Sequence, residues 1–174
     1  VVVCDTIEEA IDASTQMLQK NKFGDAGKSI VIEERITGIE ASVFAVSDGE
    51  NAIILGTAQD HKRAYDNDKG PNTGGMGAIS PAPALNDNLN QEIFNKIIMP
   101  TINGMKLDGI AYEGILYAGI MLTEDGPRVI EFNCRFGDPE TQVVLPRLKT
   151  DLVEIIINTV HKNLSGMKIN LIDN

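Results

Sequence analysis

The sequence predicts an α+β fold, with antiparallel or mixed sheets and packed helices, on three observations. The chain opens strand, helix, strand and then runs into a meander of consecutive strands around Asp48-Gly49, where a doubly wound sheet would alternate strands with helices. A second pair of apolar segments is joined by the turn residues Glu124-Asp125-Gly126. Between and after these strand groups lie runs with helical spacing and recognisable caps. At 174 residues the chain is long enough for one large domain or two small subdomains with a true core.

Taken in order, Val1-Cys4 reads as a short apolar strand. Thr6-Ile-Glu-Glu9 has the spacing of a capping box, and Ile7, Ala10, Ile11, Met17 and Leu18 make one helical stripe, expected to be core. Lys28-Glu34 reads as a strand ending in two acids, and Glu33, Glu34 and Glu40 gather at the following junction. Ala41-Ser47 and Ala52-Ala58 pair around the Asp48-Gly49 hairpin. Asn86 or Asp87 caps a helix whose buried side is Leu89, Ile93, Phe94, Ile97 and Ile98, and Pro100 is expected to kink or break it. Tyr112-Leu122 and Val129-Asn133 form the second hairpin. Thr141-Leu148 and Asp151-Lys162 read as helices, the latter burying Leu152, Ile155, Ile156 and Val160.

The net charge of −10 argues against nucleic acid as the main partner. No apolar run is long enough to span a bilayer, which argues against a membrane partner. Val1-Val-Val-Cys reads as mid-strand rather than as a leader, so the chain is expected to be a piece of a longer polypeptide. Cys4 and Cys134 lack metal-ligand spacing and are expected to be buried, reduced thiols of a cytoplasmic protein. The cations concentrate in His61-Lys62-Arg63 and in Arg135, Arg147 and Lys149.

Two stretches carry chemistry. In Arg128-Glu140, period-two alternation puts Glu131, Asn133 and Arg135 on one face and Ile130, Phe132, Cys134 and Phe136 on a buried one. A carboxylate beside an amide oxygen suits Mg²⁺, and an adjacent guanidinium suits phosphate; an amphipathic edge strand with a merely wet polar face fits the same residues. Gly70-Pro-Asn-Thr-Gly-Gly-Met-Gly77 has four glycines in eight residues. It reads as a phosphate cover or as a mobile surface loop, but not as a P-loop, because the Gly-Lys-Ser/Thr ending is absent.

Five ordered motifs together resemble the phosphoribosylamine–glycine ligases, also called glycinamide ribonucleotide synthetases. They are Ile32-Glu-Glu34 with Gly38-Ile-Glu-Ala-Ser42, Gln59-Asp-His-Lys-Arg63, Gly70-Ala78, Gly114-Ile-Leu-Tyr-Ala-Gly119 and Glu131-Thr141. The resemblance extends to about Leu152. It implies a partial ATP-grasp fold, with residues 1–36 the remainder of the small clasp subdomain and 37–174 the large subdomain. It also implies ATP-dependent joining of glycine to 5-phosphoribosylamine through an acyl phosphate, in de novo purine synthesis. Carried across, Glu33, Glu34, Arg35 and Ile36 resemble the adenine-side hinge and Glu40 the ribose-hydroxyl acid. Arg63 and Asn72 match phosphate-contacting positions, and Glu131 and Asn133 match ligands of Mg²⁺ (or Mn²⁺). Arg135, with Arg63, is assigned to the transferred phosphoryl group. Asp60, Gly74, Gly75, Asp138, Pro139 and Glu140 are assigned to the substrates.

Arg35 and Ile36 depart from the more apolar pair usual in the hinge. The family's Lys-containing, Gly-rich strand and its N- and C-terminal domains are not among these 174 residues, so the segment alone is expected to be a poor or inactive enzyme, with the rest of the parent polypeptide as its partner. Two other readings compete. A different ATP-grasp ligase would share Glu131 and Asn133 but lack the Gln59-Arg63 and Pro71-Gly77 signatures. A non-catalytic nucleotide-binding module would retain only the fold.

Overall fold

The computed structural model describes residues 1–66 and 69–172, and for positions 63, 69, 71 and 72 the backbone only. The chain divides into two compact units, Val1–Thr37 and Gly38–Asn174.

In the first unit α1 (Ile7–Leu18) begins at the expected capping box. The Thr6 hydroxyl accepts from the Glu9 amide at 3.2 Å, while the Glu9 carboxylate accepts from the Asp5 amide at 2.7 Å. The expected strands Val1-Cys4 and Lys28-Glu34 do not form: a short 3₁₀ turn, Gly24–Lys28, leads into irregular backbone. An extended segment needs a neighbour for its ladder, and this unit offers none. The apolar stripe of α1 is not core either. Ile7 is 74% exposed, Ile11 and Leu18 are also exposed, and no residue of the helix is buried. A 37-residue unit encloses too little volume to bury such a stripe by itself.

The second unit is built on an antiparallel sheet in the order β5-β2-β1-β6-β7, comprising β1 (Ile39–Asp48), β2 (Ala52–Asp60), β5 (Ala78–Ile79), β6 (Glu113–Thr123) and β7 (Gly126–Asn133). A separate small ladder pairs β3 (Arg63–Tyr65) with β4 (Lys69–Asn72). Alternation along the central strand β1 divides the core. Val43 and Ala45 join Ala118 and Ile120 under Ile93, Ile97, Ile98 and Ile102 on one face. Phe44 and Val46 join Leu55 and Tyr117 under Val144, Ile155 and Leu164 on the other.

Asn86 caps α2 (Asp87–Ile93), accepting from the Leu89 amide at 2.9 Å. Pro100 does not break the helix. A π turn, Phe94–Ile98, precedes it and the chain continues as α3 (Met99–Leu107), with Pro100 in the first turn. Widening the turn there absorbs the missing proline donor and its steric demand. Gly109, at φ 78°, ends α3 in a Schellman motif: Ile110 N–H bonds Met105 O at 3.0 Å and Gly109 N–H bonds Lys106 O at 3.1 Å.

Thr141-Leu148 forms only one turn, α4 (Thr141–Val144), before a 3₁₀ segment, Leu145–Arg147. α5 (Leu152–Val160) follows, capped by Asp151. It buries Ile155 and Thr159, but Ile156 and Val160 are exposed, contrary to the helical-stripe expectation, as are Val153 and Ile157. An apolar helix all round does not reveal which side meets the sheet, and only the i, i+4 pair does so here.

Asp48 closes the β1–β2 turn from full burial. One oxygen accepts from the amides of Asn51 and Glu50 at 2.7 and 3.0 Å, the other from Leu164 at 3.2 Å. Two expectations near β7 also fail. Cys134 is exposed, and Phe132 is 39% exposed, because β7 is the outer strand and its alternation ends at Asn133. Arg147 holds the fold rather than a ligand: its guanidinium donates to Ser80 Oγ at 3.2 Å and Ile172 O at 3.1 Å.

Candidate active site

The end of the sheet face that carries Phe44 and Tyr117 gathers most of the residues singled out by sequence. Glu131 and Asn133 lie two apart on β7, so their side chains share a face. Asn133 Nδ2 donates to Glu131 Oε1 at 3.3 Å. Glu131 stands opposite Gly119 on β6, where a Cβ would lie 3.1 Å from its Cγ. Among the described residues no group of three or more His, Cys, Asp or Glu could hold a metal ion. One exposed carboxylate and one amide oxygen nevertheless fit a hard divalent cation that takes the rest of its shell from water and phosphate.

Arg135 lies beyond the strand end, exposed, and donates to Phe136 O at 2.8 Å. It is set by the turn, not by alternation. The chain then folds over at Gly137-Asp138-Pro139. Asp138 is exposed and accepts from Gln142 Nε2 at 2.8 Å. Glu140 is different, only 3% exposed. Ser42 Oγ donates to the Tyr117 hydroxyl at 3.0 Å, and that hydroxyl reaches Glu140 Oε1 at 3.4 Å. Glu140 Oε2 is buried without a partner among the described residues. Burial pushes the Tyr117 phenol up to about 12.

Asp60 and Lys62 approach from the end of β2. The Lys62 ammonium bonds the Glu40 carboxylate on β1 at 2.5 Å. Burial would lower the lysine, but the bond to Glu40 more than reverses this and holds its pKa above the ordinary lysine range. Burial raises the Asp60 pKa, and Lys62 offsets only part of the rise. Glu140 and Glu40 are among the charges acting on Asp60, and Asp60 and Glu140 act on Tyr117, so these groups form one electrostatic neighbourhood.

The glycine-rich stretch is clasped to this region by backbone bonds. His61 N–H bonds Gly77 O at 2.9 Å, Met76 N–H bonds His61 O at 2.8 Å, and Thr73 N–H bonds Lys62 O at 2.7 Å. Gly75 adopts φ 118° and sits so close to Pro139 that a Cβ would lie 2.5 Å from its Cδ. Gly74 is exposed, with open space where a Cβ would be. Arg63 and Asn72 face each other across the β3–β4 ladder, and their side chains fall outside the description.

In the other unit, Glu33, Glu34 and Arg35 are exposed and Ile36 half-buried in irregular backbone, with Arg35 ion-paired to Asp5. A groove of about 790 Å³ lies away from the site, between the start of β2, α2 and residues 164–170, and none of the candidate binding or catalytic residues lines it. Sequence reasoning missed the roles of Ser42, Lys62 and Tyr117. The available signal was a tyrosine and a serine inside apolar strands, each a polar group that needs a partner once buried.

A five-stranded antiparallel sheet with helices on both faces, ending in a carboxylate–amide pair on its outer strand, defines an ATP-grasp domain. The crystal structure of phosphoribosylamine–glycine ligase from Thermotoga maritima superposes with a TM-score of 0.75 at 33% identity, covering 99% of this chain and 42% of that one. Biotin carboxylase from Campylobacter jejuni shares the fold alone, at TM-score 0.61 and 19% identity, over 94% of this chain and 34% of that one. The family model of the phosphoribosylglycinamide synthetase ATP-grasp (A) domain matches residues 1–141, and the chain belongs to that family. The phosphoribosylamine–glycine ligase of Streptococcus pyogenes serotype M1 is 53% identical over 156 residues, 90% of this chain and 37% of that protein. That of Ralstonia nicotianae is 51% identical over 170 residues, 97% and 40% respectively. The chain thus spans about two fifths of the length of these relatives.

Proposed function

We propose that this chain is the ATP-grasp segment of a cytoplasmic phosphoribosylamine–glycine ligase. In this reading ATP phosphorylates the glycine carboxylate, and the amine of 5-phosphoribosylamine attacks the glycyl phosphate. The products are glycinamide ribonucleotide, ADP and phosphate, a step of de novo purine biosynthesis. The observation that carries it is the convergence of the Glu131–Asn133 pair, the Asp60–Lys62–Glu40 cluster and the Gly137–Glu140 turn at one end of one sheet face, in a chain 53% identical to a protein of that name. We assign residues 1–36 to the small clasp subdomain and 37–174 to the large one, with glycine, 5-phosphoribosylamine and the rest of the parent polypeptide as partners.

Each group has a task. Phosphoryl transfer to a carboxylate needs charge neutralisation more than covalent help. Mg²⁺ or Mn²⁺, held by Glu131 and Asn133, would neutralise and orient the phosphates. Arg135 and Arg63 would meet the transferred group, with Asn72 beside them. Glu40 would receive the ribose hydroxyls, and Glu33, Glu34, Arg35 and Ile36 the adenine. Asp60 and Asp138 offer carboxylates to the amines, while the Gly74-Gly75 backbone covers the acyl phosphate from water. The test is calorimetry of MgATP binding by this chain and by Glu131→Ala, with glycine-dependent ADP release by the full-length parent. Binding that needs both Mg²⁺ and Glu131 supports the site. A full-length protein that binds no nucleotide and releases no ADP with glycine sinks the reading.

A further inference from the structure

Glu140 is the one acid of the site buried beneath it. A Cβ on Gly137 would fall 2.4 Å from Glu140 Oε2 and 2.8 Å from its Cδ, and the three nearest heavy atoms all belong to that carboxylate. Gly137 does not have a positive φ, so its backbone would accept a side chain. The glycine is required because the Glu140 carboxylate occupies the place of its side chain. The other oxygen reaches the hydroxyls of Tyr117 at 3.4 Å and Ser42 at 3.5 Å, on adjacent strands of the sheet. Thr141 closes the turn from behind, with its amide on Gly137 O at 3.1 Å and its hydroxyl on the same oxygen. In front, Pro139 carries Gly75 of the glycine-rich stretch.

We infer that Glu140 is a positioning residue: with Ser42 and Tyr117 it brackets the Gly137–Pro139 turn to the sheet, and so sets where Asp138 and the glycine-rich stretch stand over the acceptor side of the site. This rests on the ligase reading for what the turn faces, but not for the bracket itself. Its consequence is selective. A displaced Glu140 misplaces the groups that meet glycine and the amine and leaves the metal strand in register.

The test uses the full-length protein with Gly137→Ala, Glu140→Asp and the double variant. In Gly137→Ala the new methyl drives the carboxylate off the two hydroxyls, and KM for glycine and for 5-phosphoribosylamine rises about tenfold while KM for ATP changes by less than about twofold. Aspartate is one methylene shorter and withdraws the carboxylate from position 137, so Gly137→Ala/Glu140→Asp recovers at least about threefold of that loss. No recovery in the double variant, or an ATP KM that rises in step, overturns the inference. If Gly137→Ala does not fold, Tyr117→Phe removes one hydroxyl without crowding and shifts the same two KM values by about threefold; unchanged values refute the bracket. If the wild type shows no glycine-dependent turnover, the ligase reading falls and hydrogen exchange decides. The Thr141 amide exchanges faster in Gly137→Ala and is restored in the double variant if the bracket exists, and is unaltered if it does not.

Discussion

Glu131 faces Gly119 across the β6–β7 ladder, and its Cγ lies 3.1 Å from the point a Cβ on residue 119 would occupy. The bare glycine lets the carboxylate lie flat against the neighbouring strand, next to Asn133. Gly119→Ala is therefore expected to push Glu131 by a few tenths of an ångström and to weaken MgATP binding by about tenfold, measured by calorimetry. The fold should persist, since the nearest atom is a flexible side chain. Unchanged affinity would remove Glu131 from the proposed metal site.

Asp60 is destabilising in its ionised form. Burial raises its folded pKa above the unfolded value, so the folded state holds the proton more tightly. Its contribution to stability is therefore most favourable at acid pH and falls as pH rises from the ordinary carboxylate value through the raised one. At pH 7 the ionised, half-buried carboxylate is a cost. Asp60→Asn should raise Tm at pH 7, by on the order of 2 °C, and the advantage should vanish below pH 4. The same variant should raise KM for the amine substrate in the full-length protein. A lower Tm at pH 7 would contradict the burial argument.

Asp48 behaves in the opposite sense. Burial alone would raise its pKa, but the amides of Asn51, Glu50 and Leu164 outweigh this and hold it below the ordinary carboxylate value of 3.8. Its stabilisation is complete above that value and is lost as pH falls through the lowered folded pKa. Asp48→Ala leaves the part-buried amides of Glu50 and Asn51 and the buried amide of Leu164 without their acceptor and should cost about 2 kcal/mol in urea unfolding at pH 7. Asp48→Asn, which cannot gain a charge, should show a shallower loss of stability in acid.

Lys162 ends α5 in the left-handed region, φ 57°, inside a second Schellman motif made by Asn163 N–H to Asn158 O and Lys162 N–H to Thr159 O. That conformation costs a non-glycine residue about 1 kcal/mol. Its ion pair with Glu113, at 2.8 Å, is exposed and screened by solvent, so it offsets little of that cost. The strain wins. Lys162→Gly should be neutral or more stable, while Lys162→Ala, which keeps the strain and loses the pair, should fall about 1 kcal/mol below it in chemical unfolding.

Legibility in the sequence followed locality. Caps are interactions between residues three or four apart, and Thr6 was legible, with the second cap narrowed to Asn86 or Asp87, because nothing distant could cancel them. The hairpins at Asp48-Gly49 and Glu124-Asp125-Gly126 were legible for the same reason. Alternation also put Glu131 and Asn133 on one face. It misplaced Arg135 because the strand stops at Asn133, which only pairing with β6 reveals.

Burial was the poorest guide, because it belongs to pairs of surfaces rather than to a segment. α1 and α5 carry enough apolar residues to be core, yet exposed Ile7, Ile11, Ile156 and Val160 show that a stripe becomes core only where a partner face arrives. The site divides the same way. The residue types and their order carry the proposed chemistry of phosphate, metal and amine, since charge and ligand hardness are properties of side chains. Which acid meets solvent and which is buried beneath the turn depends on strands brought together from Ser42, Tyr117 and Glu140, as far as 98 residues apart. A pattern along the chain does not encode the distance between such groups; packing sets it, and with it the division of labour between Asp138 and Glu140.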